Sequence, residues 1–267
     1  HPINGDVHDT HDADSIFDGI TYSKGSAVLK QLLVLIGEKN FSAAMKTYFN
    51  KYQFSNTILQ NFMDCMQENY KPLSPAYPDN LDEWQKQWIQ TAGLNELTPI
   101  WVPSTDGTKE TITLKQTPVL PQHPTLRVHK LKIAFYGEGA ELLEARDFVV
   151  PAKEEATLTF EGPKKLKGIL LNYDDEAFIK IRIDHHSIEF FKSNLRNIKD
   201  ELSRTLIWRA FWDMLRDGMV SSLEFLEIVN NTLMEETSDV IINDILAYTS
   251  AAILRFTPIK LRSLASY

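Results

Sequence analysis

Two stretches of this 267-residue sequence gather residue types that could ligate a metal, and in both the spacing argues against it. His8 and His11 stand among Asp6, Asp9, Asp12 and Asp14. A metal needs ligands that converge and are held in orientation, and this run has no apolar period to act as a frame. It reads as a solvated acidic loop from His1 to Ser15. His185 and His186 are adjacent; neighbours on a strand point to opposite faces, so the pair reads as linker. Cys65 is the single cysteine, which excludes an internal disulfide and any multi-cysteine metal site. With Phe62, Met63 and Met66 around it, it reads as a buried structural thiol. Lys164, Lys165 and Lys167 form the one tight basic cluster, expected in a solvated turn. Trp84 and Trp88, four apart, share a helix face and are expected in the core. Tyr22, in Tyr22-Ser-Lys24-Gly25, taken alone is a half-buried tyrosine at a helix start.

The elements around these residues follow three rhythms. From Tyr22 the period is helical. Val28, Leu29, Leu32, Leu33 and Ile36 lie on one face, and Gly37 supplies a stop. Phe41, Met45, Tyr48 and Phe49 mark a second helix. Leu59, Phe62, Met63 and Met66 mark a third, with Asn56 or Thr57 as its cap. Leu81 to Thr91 makes a fourth, opened by Asp79 or Asn80 and closed by Gly93. From Thr98 to Asp184 the period shortens to two, with strands expected at 111–115, 126–135, 148–150, 156–160, 168–171 and 178–183. Prolines and glycines separate them, as a small β-sandwich requires. After His185 the helical period returns in four stripes, around Phe211, Leu226, Ile241 and Leu254, and reads as stacked helix pairs.

Composition bounds the rest. Apolar residues make up 43% and charged residues 24%, enough for ordinary folded cores. The net charge of −8 argues against nucleic acid, which needs a basic face. The longest apolar run, Ala27 to Ile36, is interrupted by Lys30 and Gln31, so no membrane span is expected. His1 opens the sequence in place of methionine, which points to a processed product or a fragment; the helical stack is expected to continue past Tyr267. Asn40-Phe-Ser42 and Asn230-Asn-Thr232 match the glycosylation pattern, too short to settle a compartment. One cysteine and no visible targeting segment favour a cytoplasmic form.

The segment Phe17-Asp-Gly-Ile-Thr-Tyr-Ser-Lys-Gly-Ser-Ala-Val-Leu-Lys resembles the motif that follows the zinc site in the aminopeptidase N family of gluzincin metallopeptidases. His1-Pro2 is similar to a dipeptide that family places after its glutamate ligand. Leu81-x-x-Trp84-x-x-x-Trp88-Ile-Gln-Thr-Ala-Gly93 resembles the closing helix of its catalytic domain. Leu206-Ile-Trp-Arg-Ala-Phe-Trp-Asp-Met-Leu-Arg-Asp-Gly218 resembles the opening of its helical C-terminal domain, particularly in bacterial members. Asp12-Ala-Asp-Ser15 departs from the proline and glutamate found in many relatives.

The resemblance implies an α+β multi-domain chain. Residues 1–97 would be the C-terminal helical part of a thermolysin-like catalytic domain, 98–184 the β-sandwich, and 185–267 the N-terminal part of a helical, stacked αα domain. It implies a parent zinc metalloaminopeptidase acting on peptides, in which zinc polarises the scissile carbonyl and a glutamate is the general base. It gives Tyr22 the role of donating its phenol to the oxyanion of the tetrahedral intermediate, worth roughly 3 kcal/mol in a water-poor cleft. The family's zinc ligands lie in His-Glu-x-x-His and a later glutamate; no His-Glu pair occurs here, so no metal ligand is assigned to this segment. The missing N-terminal half would then be its partner, and the segment alone would be inactive. The competing expectation is a non-catalytic interaction or scaffold protein derived from that family, since sandwiches and helical stacks both serve binding.

Overall fold

Apolar residues three and four apart draw the first third of the chain into helices that share one interior. The computed structural model describes residues 2–4, 7–16, 19–72, 77–105, 109–162 and 165–262. The stretch expected as a loop holds a short helix, α1 (Thr10–Ile16). Its start is an Asx turn: the Asp9 carboxylate accepts from Asp12 N at 2.8 Å, a local bond that overall polarity conceals. Helix α2 (Gly19–Ile36) buries Val28, Leu32, Leu35 and Ile36, and it ends where Gly37 adopts φ 82. Helix α3 (Glu38–Tyr52) lays Phe41, Ala44 and Met45 inward. Helix α4 (Leu59–Asn69) is not capped by Asn56 or Thr57; Asn61 Oδ1 reaches back to Ile58 N at 3.0 Å. Helix α5 (Asp82–Trp88) begins with Asn80 Oδ1 accepting from Asp82 N at 3.1 Å, and it buries both Trp84 and Trp88.

Seven strands are described, and one of them the period of two does not mark. Strand β1 (Asn95–Trp101) is interrupted by Pro99, which hides its alternation, and it starts inside the span read as helical. It pairs antiparallel with β2 (Lys109–Pro118), in which Ile112 and Leu114 face inward between exposed neighbours. The others are β3 (His129–Tyr136), β4 (Leu142–Val150), β5 (Glu155–Glu161), β6 (Gly168–Tyr173) and β7 (Lys180–Ile181). They form two sheets, β5-β2-β1-β7 and β4-β3-β6, with only the short β1–β7 pair parallel among the described ladders. Strand β7 is shorter than expected, because Asp184 already caps the next helix by accepting from His186 N and Ser187 N.

Helices α6 (His185–Asn194), α7 (Glu201–Arg216), α8 (Ser222–Thr232) and α9 (Asp239–Ala251) complete the chain, α9 running on into a π turn, Ala252–Phe256. His185 and His186 therefore open a helix and do not lie on a strand. The inner faces of the two sheets and the buried residues of α6 to α9 form one continuous apolar interior. The N-terminal helices enclose a separate one. At Gly168 a Cβ would stand 2.4 Å from the Phe190 ring, so the glycine lets β6 and α6 meet.

Polar latches join these bodies. Lys30 donates to the Asp175 carbonyl at 2.6 Å, Phe178 N to Gln31 Oε1 at 2.8 Å, and Lys130 to the Val34 carbonyl at 3.2 Å, so α2 is tied to the sandwich. Arg182, almost wholly buried, is ion-paired with both Glu96 and Asp217, while Lys180 bonds Asp217 at 2.5 Å. Burial opposes the charge on Asp217, yet these two cations hold its carboxyl below the usual range.

Candidate functional site around Tyr22

Helix α2 positions the residues of interest, and its first turns have weak helix formers: Gly19, Thr21, Ser23, Gly25 and Ser26. Its rotation is set by packing. Tyr22 and Ser23 face outward, Tyr22 at 65% exposure, while Lys24 is 6% exposed and Val28 follows it into the interior. The phenol thus stands in solvent and not in packed hydrocarbon.

Three concave surfaces border α2. One, of about 330 Å³, lies between Gly19, Ser23 and Lys24 and the facing Leu94, Leu120 and His123. A second, of about 370 Å³, is apolar and lies against Gly25, Leu29, Tyr48, Ile58 and Phe62. A third, of about 570 Å³, separates Ser26 and Lys30 from Lys180, Arg209 and Asp213. Tyr22 lines none of the three. Among the described residues a Cβ at Gly25 would meet nothing within 4 Å, and the glycine borders the open apolar groove.

Beneath the start of α2 lies a buried cationic cluster that the sequence reading did not single out. Arg127, fully buried, donates from Nε to the Gln87 carbonyl at 2.8 Å and from Nη2 to the Ala92 carbonyl at 2.8 Å. Its Nη1 reaches Asn95 Oδ1 at 3.1 Å and the Thr125 carbonyl at 3.2 Å, and its guanidinium stands 5.3 Å from the Trp88 ring centroid. Among the described residues no carboxylate pairs with it; burial lowers its pKa from the ordinary arginine value, and neutral oxygens carry the charge. Lys24 Nζ donates to the next carbonyl in the same turn, Thr91, at 3.4 Å. Burial lowers the pKa of Lys24, and the Arg127 charge adds to that. Gly93 makes the turn possible: its φ is +95, and a Cβ would collide with His123 Cβ at 2.6 Å.

His129 completes the cluster. It packs edge-on against Trp88 at 5.2 Å, is buried, and among the described residues has no hydrogen-bond partner for either ring nitrogen. Burial, with the Arg127 charge second, pushes its pKa down to about 3. A signal for both residues existed. Arg127 and His129 fall within the strand expected at 126–135 and in phase with the buried Leu131, Ile133 and Phe135, so the period of two already turns them inward.

Cys65 is buried, its thiol pushed up by burial. His8 and His11 belong to the segment around α1; Asp6 and Lys164 lie outside the described residues. Lys165 is exposed, next to strand β6. Among the described residues no three His, Cys, Asp or Glu side chains converge, so no zinc site is built from them and no step is derived through one. No described helix is long and apolar enough to cross a membrane.

Residues 1–88 match the model of the peptidase family M1 domain, and residues 168–267 match that of the ERAP1-like C-terminal domain. The chain is 33% identical over 246 residues to an aminopeptidase N of Streptomyces lividans, a span covering 89% of this chain and 28% of that protein. It is 24% identical over 231 residues to a leucyl aminopeptidase of Saccharolobus solfataricus, covering 86% of this chain and 26% of the relative. It is also 24% identical over 248 residues to a puromycin-sensitive aminopeptidase of Caenorhabditis elegans, covering 88% of this chain and 24% of the relative. The chain thus spans about a quarter of the length of these relatives.

Proposed function

Because this chain belongs to the peptidase M1 family, in its bacterial-type aminopeptidase N branch, we propose that it forms part of a zinc metalloaminopeptidase that removes N-terminal residues from peptides. The names of its relatives support that reading, and so does the order of the two matched models along the chain. The zinc ligands, the general base and the groups that hold the free amine come from polypeptide beyond these 267 residues. The helical end of the catalytic domain closes before Asn95, where β1 begins and pairs with β2, so the division expected at 98 shifts to 95; the sandwich runs on to 184 and the start of the helical domain covers 185–267.

The contribution of this segment to the reaction is Tyr22. The observation that carries it is an outward-facing phenol on a helix whose rotation is set by buried neighbours. A rigid, uncharged donor with its hydroxyl far from the backbone suits an oxyanion that forms only as the tetrahedral intermediate develops. Tyr22→Phe in the full-length enzyme lowers kcat for an alanyl anilide by roughly a hundredfold, the rate equivalent of about 3 kcal/mol, and leaves the zinc content intact. An unchanged kcat removes the assignment. The isolated 267 residues are expected to hydrolyse nothing.

A further inference from the structure

A tyrosine that must meet a developing charge is useful only if its helix is held at one rotation, and α2 is weakly built where Tyr22 projects. Gly19 opens α2 and Gly25 lies in its interior, where glycine costs about 1 kcal/mol of helix stability relative to alanine. Neither glycine is needed for packing among the described residues, since a Cβ on either meets nothing within 4 Å. The first side chain of α2 described as buried is Lys24, two residues beyond Tyr22, and Val28 follows a turn later. Lys24 reaches the Thr91 carbonyl, within the segment whose Gln87 and Ala92 carbonyls are held by the buried Arg127. The Thr91 hydroxyl adds a bond to the Lys86 carbonyl at 2.6 Å, and Val128 N donates to Gln87 Oε1 at 3.2 Å, so the turn is tied both to α5 and to the chain leading into β3.

Resting on the Tyr22 reading above, we infer that Lys24 is a positioning residue for Tyr22, its ammonium group locking the first turns of α2 onto a carbonyl cradle that Arg127 holds rigid. The lever arm is long. A rotation of α2 by roughly 10° carries a hydroxyl at the tip of a tyrosine by about 1 Å, and a misplacement of that size costs on the order of a hundredfold in rate. Lys24 touches no substrate in this scheme and acts only through the helix.

The test is a double-mutant cycle in the full-length enzyme with an alanyl anilide. Lys24→Met keeps the apolar stem and deletes the donor. It is expected to lower kcat at least tenfold with KM within twofold, and to change kcat less than twofold when Tyr22 is already Phe. Lys24→Arg can still donate to Thr91 and is expected to recover most of the lost kcat. Equal losses from Lys24→Met in both backgrounds overturn the positioning role, since the lysine would then act independently of the phenol. If Lys24→Met does not fold, Lys24→Gln takes its place in the same cycle: a loss of at least threefold with Tyr22 present that falls below twofold with Phe supports the role, and equal losses overturn it. A Tyr22→Phe enzyme with unchanged kcat is a separate outcome, which removes the catalytic reading and the positioning role that depends on it.

Discussion

His129 makes the stability of this chain depend on acid in a calculable way. Its ring is buried, both nitrogens lack partners among the described residues, and its folded pKa lies near 3 against an ordinary 6.5. Between those values the unfolded chain binds a proton that the folded chain refuses, so stability is complete above about pH 6.5 and falls as the pH drops. At about pH 5 the unfolded imidazole is roughly thirtyfold more often protonated than not, which is worth about 2 kcal/mol of stability lost relative to neutral pH. That figure depends little on the folded value, provided it stays well below 5. Replacing His129 by leucine removes the titrating ring and two unsatisfied nitrogens while nearly conserving volume. The variant is expected to match or exceed the parent near pH 7 and to lack its share of the acid slope. Urea titrations near pH 5, 6 and 7 read this directly, with unchanged m-values showing that stability alone has moved. An acid slope as steep in His129→Leu as in the parent would refute the reasoning, since the protons would then be taken up elsewhere.

Two further outcomes follow from packing. Gly168→Ala places a methyl against the Phe190 ring and is expected to destabilise by about 1–3 kcal/mol, visible as a lower urea midpoint at constant m. Cys65, fully buried and with its thiol raised by burial, is expected to react with an aromatic disulfide only as fast as the chain opens, and promptly in denaturant; fast labelling of the native chain would contradict its burial.

Much of this architecture was legible from side-chain rhythm, and the misses have local causes. Val28, Leu32 and Ile36 announced α2 because a helix buries every third or fourth residue, and Ile112 and Leu114 announced β2 by alternation. Strand β1 escaped because Pro99 and a polar start blur its period. Helix α1 escaped because a carboxylate, not an apolar face, initiates it. Helix α5 ends at Trp88, short of the expected Thr91, and Gly93 with its positive φ turns the chain only after Ile89 has closed the helix. Tyr22 drew attention only through its flanking motif, and what the fold adds is its outward orientation, which comes from which neighbours are buried. Arg127 was not recognised, since charge normally implies exposure and only its phase with Leu131 and Ile133 says otherwise. The carbonyls it gathers come from distant parts of the chain, and no short motif encodes such a convergence.

The division of the interior into two has a bearing on how the chain comes apart. Sheets and C-terminal helices share a single apolar mass, so the change of secondary structure at Asp184 is not a seam: hydrogen exchange in β6 and in α7 should report one common opening. The N-terminal helices meet that block through a narrower seam, polar bonds from Lys30, Lys130 and the buried Arg127 to backbone oxygens together with the Trp88–His129 edge contact and Phe178. Under mild stress the segment bearing Tyr22 can therefore loosen while the rest holds its shape, so that helix α2 acts as the thermal fuse of the molecule.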